Sequence, residues 1–200
     1  GSDGIFNTGD YLLFYGQGTN RWVYDSNSGE YIFKRHNYSD TAFYFITSSA
    51  SPGKTVNDAD NSGYSPGNYS TSHDALYIHE VESENLIRSG REWYQGVSPL
   101  NATIINPSFT DIVTTEKIKY SIRVLARSSI QSQFRFNEGN SMLEEMAVAA
   151  VNLYAYTGAY AAATEVSRSS FPLSSSPSYT IQFLNKGEQS ADGWLDYVKL

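Results

Sequence analysis

The sequence predicts an all-β fold of two small antiparallel β domains, the second a β-sandwich of jelly-roll type. Aromatic residues are frequent (16 Tyr, 10 Phe and 3 Trp) and stand in short clusters between Gly, Ser, Asn and Asp residues. Such clusters are typical of short strands joined by turns. The segments 117–126 and 178–183 also alternate between apolar and polar residues, which is the period of a half-buried antiparallel strand.

The first domain is predicted to cover about residues 3–88. Its strands are predicted, in chain order, at 11–15, 21–25, 30–35, 42–47 and 75–81. The second and third strands flank the polar segment Ser26-Asn27-Ser28-Gly29, which predicts a hairpin with a glycine-containing turn. Residues 48–73 are rich in Ser, Gly, Asn, Asp and Pro, so they are predicted to form a long exposed loop.

The second domain is predicted to cover about residues 89–200. Its strands are predicted at 117–126, around Phe134 and Phe136, at 178–183 and at 193–200, with a turn at 137–140. The segment Glu144–Tyr156 fits this pattern less well, because its alanine and glutamate content is typical of a helix. Residue propensity alone leaves helix and strand open there.

Composition excludes several classes of function. The formal net charge is −7, which argues against a nucleic-acid interface and against electrostatic adsorption to anionic membranes, since both need a basic surface. No run of about 18 apolar residues is present, so no membrane span is predicted. The chain contains no cysteine, which excludes disulfides, thiolate metal sites and a cysteine nucleophile within it.

The histidines His36, His73 and His79 are the residues on which a hydrolytic site would have to be built. No Gly-x-Ser-x-Gly nucleophile elbow accompanies them. On one regular strand, His73 and His79 would share a face but lie about 20 Å apart, too far to share a metal ion. An independent hydrolase built on His73 or His79 with neighbouring carboxylates is a distant alternative function.

A weak calcium-loop candidate lies in the segment 58–63, where Asp58, Asp60 and Ser62 stand at alternate positions before a glycine. The twelfth position of such a loop requires a bidentate glutamate, but that position is Tyr69. The segment therefore predicts an ordinary polar loop, with calcium as the alternative, and no other cofactor is predicted.

Four patches, in order along the chain, carry a resemblance to a known family. They are Gly9–Gly18 (GDYLLFYGQG) with Trp22 and Tyr24, Asn37–Asp40 (NYSD) with Tyr44–Thr47, Ser89–Tyr94 (SGREWY), and Gly193–Val198 (GWLDYV). Together they resemble signatures of the gingipain-type cysteine peptidases, and specifically of the sortase-like branch of the type IX secretion system.

The resemblance implies a secreted multidomain protein of the bacterial cell surface or outer membrane. A β-rich N-terminal region precedes a caspase-like peptidase domain, and the catalytic cysteine and histidine lie in that later domain. This chain has no cysteine, so no catalytic residue is carried over to any position. The opening Gly1-Ser2-Asp3 resembles the scar that a protease leaves on removing an expression tag. The bare start and the position of Leu200 inside an apolar run predict a fragment of a longer protein. The resemblance favours strand over helix for residues 144–156.

Five residues within the matched patches are predicted to have structural roles: Arg91, Trp93, Trp194, Asp196 and Tyr197. The planar guanidinium of Arg91 is suited to joining strands or domains through carboxylates, and a salt bridge to Asp196 is predicted. Trp93 and Trp194 are predicted to anchor the second domain.

The predicted function is therefore that of a non-catalytic structural and docking region. Its predicted partner is the downstream caspase-like peptidase domain of the same chain, together with other secretion-system components or surface polysaccharide. The alternative is a carbohydrate-binding module, in which exposed tyrosines and Trp22, Trp93 and Trp194 would stack against sugar rings.

Overall fold

The structure is a computed structural model that describes residues 5, 7–47, 63, 67–109 and 111–200. All regular secondary structure in these residues is β-strand, and every pairing between strands is antiparallel. The prediction of an all-β fold is confirmed. Contacts divide the chain into two compact units, Gly1–Gly67 and Asn68–Leu200.

In its described residues, the first unit contains one hairpin, made of β1 (Arg21–Asp25) and β2 (Glu30–Lys34). The Asp25 carboxylate accepts hydrogen bonds from the Asn27 N–H at 3.1 Å and the Ser28 hydroxyl at 3.0 Å, which fixes the turn. Gly29 completes the turn with φ of 67°, a conformation that favours glycine. The hairpin predicted from the sequence is confirmed.

Two further strands predicted in this unit are wrong, because residues 11–15 and 42–47 form no β-ladder in the structure. The rings of Phe14 and Tyr44 meet, with centroids 5.7 Å apart, but the backbones do not pair. None of the described residues of this unit is buried. Residues 11–15 and 42–47 therefore have a composition typical of strands, but they lack the apolar burial that would stabilise a sheet.

The second unit contains nine strands among its described residues. They are β3 (Ile78–His79), β4 (Gln95–Gly96), β5 (Thr103–Ile105), β6 (Ile118–Arg127), β7 (Ser132–Glu138), β8 (Ser141–Val148), β9 (Ala162–Ser170), β10 (Tyr179–Leu184) and β11 (Asp192–Lys199). One sheet has the order β5-β10-β7-β8. The other has the order β3-β11-β6-β9, and β4 also pairs with β11.

This strand order is that of an eight-stranded jelly roll in which β3 and β4 together occupy the place of one strand. The jelly-roll prediction is confirmed. β5 and β9 were not anticipated, because the short β5 and the serine-rich β9 carry little apolar alternation. The predicted strand at 75–81 is shorter than expected, with only Ile78–His79 in the ladder.

The two sheets of the second unit pack on a shared hydrophobic core. The alternation predicted for β6 and β10 is confirmed, since Ile122, Val124, Ile181 and Phe183 are each 0% exposed. Tyr120 of one sheet meets Phe136 of the other, with ring centroids 5.3 Å apart. The core is therefore a β-sandwich core formed by the inward faces of both sheets.

The segment 144–156 is a strand only in its first part. β8 ends at Val148, and residues 149–161 form a loop before β9. The Asn152 side-chain oxygen accepts a hydrogen bond from the Tyr154 N–H at 3.0 Å, a local turn that competes with a strand. The strand assignment therefore holds to Val148 and fails beyond it.

The boundary between 3–88 and 89–200 stays a prediction, while the contacts divide the chain after Gly67. β3 pairs with β11, which brings residues 78 and 79 into the same sheet as the last strand. Tyr77 also exchanges two backbone hydrogen bonds with Leu200, at 3.0 and 2.9 Å. No helix in the described part of the chain is long and apolar enough to cross a bilayer.

Candidate functional site

β3 and β4 pair with the same edge of β11, but the chain leaves the ladder between them. Val198 is opposite His79 and Leu195 is opposite Gln95, so residues 80–94 form an insertion in the edge of the sheet. An isolated antiparallel bridge between Glu84 and Tyr94 closes this insertion. We call residues 84–94 the finger.

Hydrogen bonds fix the base of the finger. The backbone N–H groups of Glu84 and Tyr94 each donate to the other residue's carbonyl at 2.9 Å. The Ser83 hydroxyl donates to the Tyr94 carbonyl at 3.0 Å, and the Asn85 side-chain amide donates to the Glu92 carbonyl at 3.0 Å. The backbone groups of Glu84 and Tyr94 at the base are thus paired in a hairpin-like arrangement.

A second hydrophobic cluster lies beneath the finger, on the face of the sheet opposite the main core. It consists of Tyr94, Leu125 and Trp194, with Leu86 and Ala161 packed against it. The Trp194 indole N–H donates to the Glu84 carboxylate at 2.7 Å. The finger is therefore attached to the last strand by apolar burial and a charge-assisted hydrogen bond.

A glycine makes this attachment sterically feasible. A Cβ atom on residue 96 would lie 2.6 Å from the Glu84 Oε1, which is closer than real contacts allow. Gly96 therefore lets the Glu84 carboxylate lie against β4 while it accepts the Trp194 hydrogen bond.

An ion pair borders the second cluster. The Arg123 guanidinium contacts the Asp196 carboxylate, and Asp196 is only 5% exposed. Burial acts to lower the pKa of Arg123, but the Asp196 carboxylate outweighs it and raises that pKa. Burial, with a hydrogen bond to Glu92, raises the pKa of Tyr94 to about 12. Both side chains thus keep their neutral-pH charge states.

A polar network continues along the same face. The Tyr197 hydroxyl donates to Glu165, and the Ser121 hydroxyl also contacts this carboxylate, at 3.5 Å. Burial first, and then Glu165, raises the pKa of Tyr197. The Lys199 ammonium lies 3.9 Å from the centre of the Tyr197 ring, and burial lowers the pKa of this lysine. The Tyr197, Glu165 and Ser121 side chains on this face are thus hydrogen-bonded to one another.

An open groove of about 770 Å³ runs between the finger and the adjacent loops. Its walls include Glu84, Asn85, Arg88, Tyr160, Asp192 and Trp194. The Tyr160 ring is held by Arg127, whose guanidinium lies 4.4 Å from the ring centre and donates to the Tyr160 carbonyl at 2.8 Å. The charged side chains of the lining are the carboxylates of Glu84 and Asp192 and the guanidinium of Arg88.

The structure brings together three of the five residues singled out from the sequence. Trp194, Asp196 and Tyr197 lie on β11, whereas Trp93 is half-buried in the finger and Arg91 is exposed near its tip. The partner that the structure gives to Asp196 is Arg123, which sequence reasoning missed. Among the described residues, Arg91 and Asp196 form no ion pair, so the salt bridge predicted between them is wrong: Asp196 pairs with Arg123 instead.

The remaining candidates from the sequence do not assemble a metal centre in the described residues. No cluster of three or more His, Cys, Asp or Glu side chains is found in the described part of the chain. Asp58, Asp60 and Ser62 lie outside the described residues, so the calcium hypothesis stays a prediction. The His79 Nε2 lies 2.8 Å from the Gln95 Oε1, and His73 is exposed.

The chain is similar in fold to a solved structure, that of dimeric latent PorU from Porphyromonas gingivalis. The TM-score is 0.63 at 13% sequence identity, and the match covers 93% of this chain. This chain spans only 18% of the length of that protein. No protein-family model and no curated protein sequence matches the chain. The likeness therefore concerns the fold.

Proposed function

We propose that this chain is a non-catalytic structural and docking region of a secreted, surface-associated bacterial protein of the gingipain type, in the type IX secretion sortase-like branch. It would hold the caspase-like peptidase domain of the same protein in a defined orientation. The observation that carries the proposal is the PorU-like fold, which extends over 93% of the chain. The four sequence patches that resemble this family support the same assignment.

The chemistry of the chain supports a non-catalytic role. The chain has no cysteine, so a cysteine peptidase would need its nucleophile from another part of the protein. The distinctive groups of the second unit are paired in structural contacts, including the Trp194–Glu84 hydrogen bond and the Arg123–Asp196 ion pair. A rigid sandwich with an elaborated edge is suited to positioning a neighbouring domain.

The proposal is tested by producing this chain and the rest of its parent protein as separate polypeptides. Isothermal titration calorimetry should detect a one-to-one complex between them, and the chain alone should cleave no peptide substrate. Lack of association up to about 100 μM would contradict the docking role, since that corresponds to a binding free energy weaker than about −5.5 kcal/mol. Turnover by the chain alone would contradict its non-catalytic nature.

The carbohydrate-binding alternative depends on open aromatic faces. Trp194 does not offer one, because it is 5% exposed and covered by the finger. The residues that favour this alternative are Tyr154 and Tyr156 in the loop after β8, which are fully exposed. Binding on a glycan array that is lost in a Tyr154→Ala, Tyr156→Ala double variant would support this alternative.

A further inference from the structure

We propose that the tip of the finger is the docking contact itself, and that its partner is an acidic protein segment. This inference rests on the proposed docking function and names the surface that performs it. The tip, residues 86–91, carries the two arginines Arg88 and Arg91 with the apolar Ile87 beside them. Ile87 is 66% exposed, and both arginines are exposed.

The arginines at the tip differ from the other arginines of this unit. Arg123 pairs with Asp196, Arg127 donates to two carbonyls, Arg135 bonds Glu145 and Arg168 lies near Glu144. Among the described residues, neither the Arg88 nor the Arg91 guanidinium has a hydrogen-bond or ion-pair partner. An arginine presents five donors in a planar fork that matches a carboxylate, so two unoccupied forks at one tip form a recognition surface for acidic groups.

The backbone of the tip turns sharply, and the Arg91 N–H donates to the Ser89 hydroxyl oxygen at 3.3 Å. Arg88 and Gly90 adopt left-handed conformations, with φ of 54° and 70°, and thereby turn the chain. The base below is fixed by the Glu84–Tyr94 bridge, and Leu86 packs on the second cluster. A preorganised loop loses less conformational entropy on binding, which favours a specific contact.

The net negative charge of the chain limits the orientations in which an acidic partner can approach it. The chain as a whole has a net charge of −7, so an acidic surface is repelled over most orientations. The two tip arginines provide a local exception and would therefore set the orientation of the complex. Ile87 favours a protein over an anionic polysaccharide, because an exposed isoleucine gains from contact with apolar side chains.

The test compares two double variants with the same change in charge. Arg88→Gln with Arg91→Gln removes the tip arginines, whereas Arg135→Gln with Arg168→Gln removes two arginines from the sheets. Binding to the separately produced rest of the parent protein is measured by calorimetry at about 50 and 500 mM NaCl. The tip variant should bind about tenfold or more weakly with a reduced salt dependence, and the control should bind like the unchanged chain.

Each outcome bears on the inference. Equal binding by the unchanged chain and the tip variant would overturn the tip contact but leave the docking function intact. No binding by the unchanged chain would overturn both. A second arm uses dextran sulfate as probe. Tip-dependent binding to this probe without tip-dependent binding to the protein would assign the surface to a polyanion and overturn the inference.

Circular dichroism should show the same melting temperature for the tip variant and the unchanged chain, because the two guanidinium groups have no partner among the described residues.

Discussion

Single small residues decide how closely the parts of the second unit approach one another. Gly193 on β11 faces the main core, opposite Phe134 and Phe183 of the other sheet, and both phenylalanines are 0% exposed. A Cβ atom on residue 193 would lie 2.6 Å from the Phe183 Cγ and 2.9 Å from the Phe134 Cζ. The two sheets can therefore approach this closely only because residue 193 is a glycine and has no side chain.

We expect Gly193→Ala to destabilise the protein by about 1–3 kcal/mol, the usual cost of overpacking a core. The atoms in the way belong to two fully buried rings that pack against each other at a tilt, with centroids 4.9 Å apart, so neither can move freely. Chemical denaturation with urea measures the change in the free energy of unfolding. Gly67→Ala is the matched control, since a Cβ there meets nothing within 4 Å. Equal stability of the two variants would contradict this packing argument.

At the residue scale, the sequence identifies part of the site. Trp194, Asp196 and Tyr197 stand out because they form a compact motif. Arg123 does not stand out. Its pairing with Asp196 depends on a shift in register between Leu195 and Tyr197, and no local sequence pattern predicts that shift. The role of Glu84 is not predictable from the sequence either, because its partner Trp194 lies 110 positions away in the chain.

At the scale of elements, the side chain of Trp194 joins β11 to the finger by two kinds of contact. Trp194 is 5% exposed, belongs to the second cluster and donates its indole hydrogen bond to Glu84. Trp93, in the finger itself, is half-buried and is not a member of that cluster. The two predicted anchors are therefore unequal.

We expect Trp194→Ala to reduce the free energy of unfolding by about 3–5 kcal/mol, as for other buried tryptophans, because it leaves a cavity under the finger. Trp93→Ala should cost about 1 kcal/mol. Trp194→Phe keeps most of the apolar contact but removes the donor to Glu84, so its cost should lie between these values. Thermal melting followed by circular dichroism ranks the three variants. An unchanged melting temperature for Trp194→Ala would argue against its role as an anchor.

Elements with a clear apolar face are predictable from this sequence, and elements defined by distant partners are not. β6 and β10 alternate in sequence and bury the expected residues. Residues 11–15 are richer in aromatic residues than either strand but form no strand, since Tyr11 and Tyr15 are 83% and 86% exposed. The finger could not be predicted, because its existence depends on where two short strands meet the last one.

At the scale of the whole molecule, the two units differ in how much apolar surface they bury. The second unit has a continuous core to which both sheets contribute, and its last strand pairs with residues from its beginning. The first unit contains no buried residue among those described. Since burial of apolar surface is the dominant force in folding, the second unit has the features of an independent folding unit.

We expect residues 68–200, produced alone, to fold into a β-rich domain that unfolds in a single cooperative transition. Residues 1–67 alone should show no cooperative transition, because their described residues form a two-stranded hairpin with no buried residue, and such a hairpin is at best marginally stable. Circular dichroism during heating measures both, and a fragment of residues 89–200 provides the comparison. That shorter fragment lacks β3 and Glu84, so it should melt at a lower temperature than residues 68–200. Equal melting temperatures would show instead that the edge strand and the base of the finger contribute little to the stability of the sandwich.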